Sequence, residues 1–184
     1  MDYGKDAIQV EHNFASKSDL EILNLYMNTL PIPDFKSINL IGQISDQQVV
    51  GTMTLLGSKI ENFVKEKYFP KLGYSVLKVT WKRELELIKW STYACLPPHK
   101  DGETFPEHPM ITVGALIYLN DEYQGGEIAF PDYDVTIKTE PGDLVIFPCN
   151  YLHEVKTIMP IEDGETRRHT LTVFYTVILD DYRP

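Results

Sequence analysis

The chain has 184 residues, of which 43% are hydrophobic and 11% aromatic, and these fractions exclude extensive disorder. Seventeen basic residues against twenty-seven acidic ones give a formal charge of -10, which disfavours nucleic acid or an anionic membrane surface as a partner. The length suits one domain over residues 1–184. Within it we expect a helical support at residues 1–73 and a β core at residues 74–184.

The start of the chain and its cysteine count indicate where the protein is expected. The first residues form no apolar segment typical of a signal peptide, and no apolar stretch is long enough to span a membrane. Two cysteines, Cys95 and Cys149, are too few for a disulfide scaffold and fit a reducing compartment. We therefore predict a cytoplasmic protein with no membrane partner, and the oligomeric state stays open.

Two helices are predicted in the first part of the chain. Recurring apolar side chains indicate one helix over residues 18–28 and a second over residues 46–69. Ser45, with Gln48 three residues later, is typical of a capping box that starts the second helix. Pro70 and a following glycine are expected to end it.

From residue 74 onward the chain consists of short segments rich in Val, Ile, Thr, Tyr and Phe, separated by turn residues. This pattern is typical of a sandwich or barrel. Eight strands are predicted, over residues 74–81, 85–93, 110–119, 127–130, 134–139, 144–147, 153–158 and 169–179. Helices followed by many antiparallel strands predict a mainly β protein of the α+β class, a jelly roll with helices packed on one sheet.

A candidate metal site is indicated by three residues. On an extended chain the side chains of His99 and Asp101 lie on one face, about 6 to 7 Å apart. A distant His153 would complete a set of two histidines and one carboxylate, which leaves positions on Fe(II) open for substrate and oxygen. A lone HxD tripeptide is more often a surface loop, so the site needs further support. The other histidines are expected to be structural or solvated: His12, His108 and His169.

The cysteines offer a competing zinc pattern, because each precedes a metal-site histidine by four residues. Such a pair reaches one ion readily on a helix, but Pro97 and Pro98 forbid a helix at the first pair. In an extended segment the two Cα atoms would lie about 13 Å apart. We therefore interpret Cys95 and Cys149 as small buried residues that flank the site.

Several ordered motifs give the chain a resemblance to a known family. They are YLN at residues 118–120, GGE at 125–127, FP at 130–131, PGD at 141–143 and HEV at 153–155. Over about residues 85–178 the chain resembles the prolyl-4-hydroxylase-like branch of the Fe(II)/2-oxoglutarate-dependent dioxygenases. The resemblance implies a double-stranded β-helix of the cupin-like kind and the use of Fe(II), 2-oxoglutarate and O2, with ascorbate as a further candidate cofactor.

The resemblance also implies roles for single residues. His99 and Asp101 match the family's HxD motif and His153 its distal histidine, so the three are implied to be the metal ligands and catalytic residues. Arg168 matches the basic anchor of the cosubstrate, and its planar charged fork suits a carboxylate. The spacing to Arg168 is longer than usual in the family, so residues 159–163 look like an enlarged loop and Arg167 stays a rival.

Three further residues are candidates for cosubstrate binding. Tyr118 matches a family tyrosine that contacts the cosubstrate. Thr170 lies two residues after Arg168 on the same strand face and could add a hydroxyl donor. Trp90 occupies the first aromatic position of the family's Y-x-x-G-x-x-Y pattern, whose second tyrosine is Leu96 here.

The implied reaction is hydroxylation of an unactivated C–H bond, with succinate and CO2 as co-products. The carboxylate of Asp101 favours hydroxylation over halogenation, because a glycine or alanine there would open a site for halide. The family's best-known substrates predict a prolyl residue in a peptide or protein. A free amino acid or another small molecule is the alternative, and a non-catalytic cupin-like binding module is a third.

Overall fold

The structure, a computed structural model, describes residues 3–81, 84–102, 110–161 and 167–180. Its first long helix, α1, spans Lys17–Thr29, close to the predicted range. A capping box starts it, because the Ser16 hydroxyl accepts from the N–H of Asp19 and the Asp19 carboxylate accepts from the N–H of Ser16. None of the described helices is long and apolar enough to cross a membrane.

The second long helix, α2, spans Gln47–Phe63 and confirms the other predicted helix. The predicted capping box of Ser45 and Gln48 is wrong. Asp46 is the N-cap instead, and its carboxylate accepts from the backbone N–H groups of Gln48 and Val49. A carboxylate beside the positive end of the helix dipole satisfies these donors well.

Pro70 does not end the second helix. The helix continues through a π-helical turn at Val64–Tyr68 and a last α-helical turn at Phe69–Lys71, which contains the proline. Proline has no N–H to donate and its ring crowds the carbonyl four residues earlier, here that of Glu66. The wider π turn accommodates this crowding.

Thirteen strands are found in the described residues, and all their pairings are antiparallel. They are β1 Gln9–Glu11, β2 Lys36–Leu40, β3 Val76–Trp81, β4 Glu86–Trp90, β5 Leu96–His99, β6 Met110–Tyr118, β7 Gln124–Gly125, β8 Ile128–Phe130, β9 Val135–Ile137, β10 Leu144–Pro148, β11 His153–Val155, β12 Ile158–Met159 and β13 Arg168–Leu179.

The strands form a large sheet, a small sheet and a separate pair. The large sheet has the order β1-β10-β6-β13-β4-β2, and β3 also pairs with the long strand β13. The small sheet has the order β5-β11-β8-β9, and β7 pairs with β12. Two antiparallel sheets joined in this way form the predicted jelly roll.

Alternation along the strands of the large sheet separates two layers of the core. On β6 and β13, side chains such as Val113, Ile117 and Val173 pack with the helices α1 and α2 in one cluster. Their neighbours Leu116 and Tyr118 pack on the opposite side, with side chains of the small sheet. The prediction that the helices cover one sheet is therefore confirmed.

Several strands differ from the sequence prediction. The strands β1 and β2 lie within residues 1–73, so this part is not purely helical and supplies two strands of the large sheet. The strand β5 was not predicted, because it contains Pro97 and Pro98, which are tolerated only where the ladder needs no donor. The predicted strand over residues 153–158 is divided into β11 and β12. One domain over residues 1–184 stays a prediction.

Candidate functional site

The small sheet brings the three candidate metal ligands together. His99 ends β5 and His153 begins β11, and the antiparallel register pairs the two directly. Asp101 follows β5, and its backbone N–H donates to the carbonyl of Cys149 at 2.9 Å. The Nε2 atom of His153 is 3.3 Å from one carboxylate oxygen of Asp101, and Nε2 of His99 is 3.6 Å from the other.

Backbone carbonyls fix which ring nitrogen of each histidine faces the centre. Nδ1 of His99 lies 2.8 Å from the carbonyl oxygen of Pro97, and Nδ1 of His153 lies 2.9 Å from that of Tyr151. A carbonyl only accepts, so each Nδ1 carries the proton and each Nε2 keeps its lone pair for a metal. The ligand atoms of the three residues all lie within 4.8 Å of one another and could hold one ion.

No other group of three or more His, Cys, Asp or Glu side chains converges in this way within residues 3–81, 84–102, 110–161 and 167–180. The cysteines do not join the cluster. Cys149 is buried beside it as predicted, but the prediction of a buried Cys95 is wrong, since this side chain is exposed. His12 pairs with Asp143 and His169 with Asn24, whereas His108 lies outside the described residues.

The triad has a dry side and an open side. The ring of His153 lies 4.7 Å from that of Phe147 and 6.0 Å from that of Phe130, between centroids. Its side chain is 5% exposed, against 30% for His99 and 22% for Asp101. A substrate can therefore approach past His99 and Asp101, while the aromatic wall excludes water from the other side.

A cavity of about 140 Å³ links the triad to β13. The side chains of Trp90, Arg168 and Thr170 line it together with the three candidate ligands, whereas Arg167 does not. Strand alternation explains why Arg168 lines the cavity and Arg167 does not, because Arg168 and Thr170 share the face of β13 that faces the small sheet. The register prediction that favours Arg168 over Arg167 agrees with this placement.

Arg168 has no exposed surface, and none of its guanidinium nitrogens has a hydrogen-bond partner among the described residues. Its Cζ atom lies 4.7 Å from the ring centroid of Tyr118 and 5.4 Å from that of Trp90. The Tyr118 hydroxyl, the Trp90 indole nitrogen and the Thr170 hydroxyl are also buried and find no hydrogen-bond partner in the described part of the chain. A buried charge surrounded by unpaired donors is costly alone, and a carboxylate would satisfy it. These residues therefore fit the distal carboxylate of 2-oxoglutarate.

Gly126 makes room for the Arg168 side chain. A Cβ atom built there would lie 3.2 Å from Cδ of Arg168 and 3.0 Å from Cε2 of Tyr123, and the residue has φ +67°. Burial raises the pKa of Tyr123, and the positive charge of Arg168 opposes this rise. The glycines of the GGE motif thus allow the turn and the close packing of Tyr123 and Arg168.

Comparisons with known proteins agree with this site. A sequence model described as the 2OG-Fe(II) oxygenase superfamily matches residues 88–176, which include the triad and Arg168. The matched residues, slightly under half of the chain, carry the signature of this superfamily. The chain is accordingly a dioxygenase that uses Fe(II), 2-oxoglutarate and O2, so the predicted enzyme class and these three cofactors are confirmed. A comparison with curated protein sequences gives no match.

Solved structures of other oxygenases are similar in fold. A viral collagen prolyl hydroxylase from Paramecium bursaria Chlorella virus-1 has a TM-score of 0.68 at 14% identity, over 92% of this chain and 95% of that one. A prolyl hydroxylase from Trichoplax adhaerens, in complex with a peptide of hypoxia inducible factor, has a TM-score of 0.65 at 17% identity, over 93% of this chain and 84% of that one. A 2OG-Fe(II) oxygenase family protein from Burkholderia pseudomallei has a TM-score of 0.69 at 15% identity, over 94% of this chain and 85% of that one.

Two residues beside the oxygenase cavity were not predicted. The Thr172 hydroxyl is buried in the cavity wall with no hydrogen-bond partner within the described ranges, and Glu86 lines the same wall across the β4–β13 ladder. The alternation that selects Arg168 and Thr170 extends to Thr172, so strand periodicity could have found it. Tyr123 gave no sequence signal, because its contact with Arg168 depends on the path of the loop after β6.

Proposed function

We propose that this oxygenase hydroxylates a prolyl residue in a peptide or protein. The observation that carries the proposal is that one cavity contains both a His-Asp-His triad and a buried arginine that has no hydrogen-bond partner among the residues that the structure describes. The prolyl substrate is supported by the similarity to two prolyl hydroxylases, one of them bound to a peptide. It is compatible with the partial exposure of His99 and Asp101, which leaves one side of the triad accessible to a substrate.

In this proposal His99, Asp101 and His153 hold Fe(II) through two Nε2 atoms and a carboxylate. Bound Fe(II) and 2-oxoglutarate supply the oxidising chemistry, in which O2 gives one oxygen atom to the C–H bond and one to succinate, with release of CO2. The backbone carbonyls of Pro97 and Tyr151 keep both imidazoles in the ligating tautomer.

Four residues form the proposed cosubstrate site. Arg168 binds the distal carboxylate through its guanidinium fork, and the hydroxyls of Tyr118 and Thr170 donate to the same group. The Trp90 ring lies against the guanidinium and limits its motion. Because no acidic side chain is hydrogen-bonded to Arg168 among the described residues, its N–H donors are available to the ligand.

The test combines substrate discovery with two variants. The Fe(II)-loaded protein is incubated with 2-oxoglutarate, O2 and ascorbate, together with either proline-rich peptides or free amino acids. We expect a peptide to gain one oxygen atom, located on proline by fragmentation, and succinate to form in equal amount. Assays without ascorbate test that further predicted cofactor.

The variants separate the parts of the proposal. His153→Ala should abolish succinate formation and the visible charge-transfer band of the anaerobic Fe(II)–2-oxoglutarate complex. Arg168→Ala should weaken 2-oxoglutarate binding about 100-fold or more and leave metal binding within about twofold, because only a charged hydrogen-bonding group is lost. Oxygen gain by a free amino acid and by no peptide would contradict the prolyl substrate, and a wild-type protein without succinate formation would contradict the oxygenase site.

A further inference from the structure

The asparagine of the YLN motif lies where the backbone ladder between β6 and β13 ends. The last regular pair is Tyr118 with Thr170, and one further backbone hydrogen bond follows, from the N–H of Leu119 to the carbonyl of His169 at 3.0 Å. Beyond this point β6 no longer pairs with β13, so the first residues of β13 are paired on one side only, with β4, where Arg168 lies opposite Trp90. Arg168 is one of these residues.

The Asn120 side chain continues the ladder. Its Oδ1 atom accepts from the N–H of His169 at 2.8 Å, and its Nδ2 atom donates to the carbonyl of Arg167 at 2.8 Å. These two groups belong to the peptide units immediately before and after the Cα atom of Arg168. The side chain is largely buried, and its two partners fix which amide atom is the oxygen.

We infer that Asn120 is a positioning residue for the cosubstrate anchor, an inference that rests on the proposed function of Arg168. Both peptide units beside Arg168 are held by one rigid amide, so the direction of its Cα–Cβ bond is fixed on both sides. The guanidinium group itself has no hydrogen-bond partner among the described residues, and the rings of Tyr118 and Trp90 lie against it. The aim of the guanidinium fork therefore depends on where the backbone holds Arg168.

An amide is the side chain that this position requires. It presents one donor and one acceptor side by side, matching the outward N–H and C=O of an extended strand. Alanine would remove both bonds, and the single short hydroxyl of serine could replace them only in part. In the alanine variant we therefore expect the guanidinium group of Arg168 to keep its charge but to change its orientation.

The test compares two ligands that differ only at the end that Arg168 would bind. The affinities of 2-oxoglutarate and 2-oxobutyrate, which lacks the distal carboxylate, are measured by anaerobic calorimetry on the Fe(II)-loaded wild-type, Asn120→Ala and Asn120→Ser proteins. We expect Asn120→Ala to reduce the preference for 2-oxoglutarate about tenfold. The preference of Asn120→Ser for 2-oxoglutarate should lie between those of Asn120→Ala and the wild-type protein. If the alanine variant does not fold, the serine variant alone tests the inference.

Asn39→Ala is the matched control, because it removes one side-chain bond to a backbone carbonyl, that of Leu87, in the same sheet. It should leave the preference unchanged. Equal losses of affinity for both ligands in the Asn120 variants would indicate general damage and overturn the positioning role. A wild-type protein that does not prefer 2-oxoglutarate would instead contradict the proposed role of Arg168, and the positioning role would fall with it.

Discussion

Arg168 combines a permanent charge with complete burial, and its nitrogens have no partner among the described residues. Removing such a charge from water costs several kcal/mol, and no hydrogen bond from the described residues offsets this cost. The flanking rings of Tyr118 and Trp90 recover part of this cost through cation–π contact. The residue is therefore held in place for its ligand at the expense of stability.

Arg168→Met should accordingly stabilise the ligand-free protein. An apolar side chain of similar length removes the buried charge, so we expect the free energy of unfolding in denaturant to rise by about 1 to 3 kcal/mol. The same variant should lose the increase in melting temperature that 2-oxoglutarate gives the wild-type protein. Arg167→Met is the control and should keep that increase. A destabilised Arg168→Met that still responds to 2-oxoglutarate would contradict the role of this residue.

The turn between β7 and β8 shows how an element serves the site without contacting substrate. Gly125 and Gly126 both have φ +67°, which other residues rarely adopt. A Cβ atom on Gly125 would collide with the carbonyl oxygen of Thr157, so this position tolerates no side chain. At Gly126 the obstacle is the pair of side chains that it accommodates, Tyr123 and Arg168.

Gly126→Ala should therefore damage binding as well as stability. Positive φ and the contacts at 3.0 and 3.2 Å are expected to cost about 1 to 3 kcal/mol in urea unfolding. Movement of Arg168 should raise the KM for 2-oxoglutarate, measured by succinate formation. Gly51→Ala in α2 is the control, because a Cβ atom there would meet nothing within 4 Å. This variant should raise the free energy of unfolding by about 0.5 to 1 kcal/mol. An unchanged KM in Gly126→Ala would argue against this coupling.

At the scale of the whole molecule, His169 links the helices to the sheet behind the anchor. Its Nδ1 atom bonds the Asn24 side chain of α1, and its ring is almost completely buried. Burial, with the charges of Lys89 and Arg167, lowers its pKa from 6.5 to about 4. Between these values the unfolded chain binds a proton that the folded chain does not, so this part of the stability is complete above pH 6.5 and is lost as the pH falls toward 4.

The wild-type protein should thus lose up to about 3 kcal/mol of unfolding free energy between pH 7 and pH 4 through His169. His169→Asn keeps a donor near the Nδ1 position and removes the titration. Denaturant unfolding of both proteins over this pH range should give a shallower dependence of the unfolding free energy on pH for the variant, since the two proteins differ only at this residue. If the unfolding free energies of the two proteins fall equally with pH, His169 is not the cause of the loss of stability.

The chain itself determined the fold class, the helices α1 and α2 and the residues of the candidate metal site. Alternation of apolar residues needs only the local period of two to predict which residues share a strand face, and this suffices for Arg168 and Thr170. The order of the sequence motifs also predicted that His99 and Asp101 form one metal site with the distant His153. The acidic charge still predicts that nucleic acid is no partner, and the cytoplasmic location also stays a prediction.

Only the tertiary structure decided what lies opposite each of these residues. The strand β5 forms despite two prolines because β11 pairs with it, and the short strands β1 and β2 exist because the large sheet offers them edges. Asn120 holds the backbone of Arg168, and Tyr123 packs on its side chain, through loops whose paths no local pattern encodes. Sequence periodicity reports the face of one strand, whereas such contacts depend on the register between strands distant in the chain.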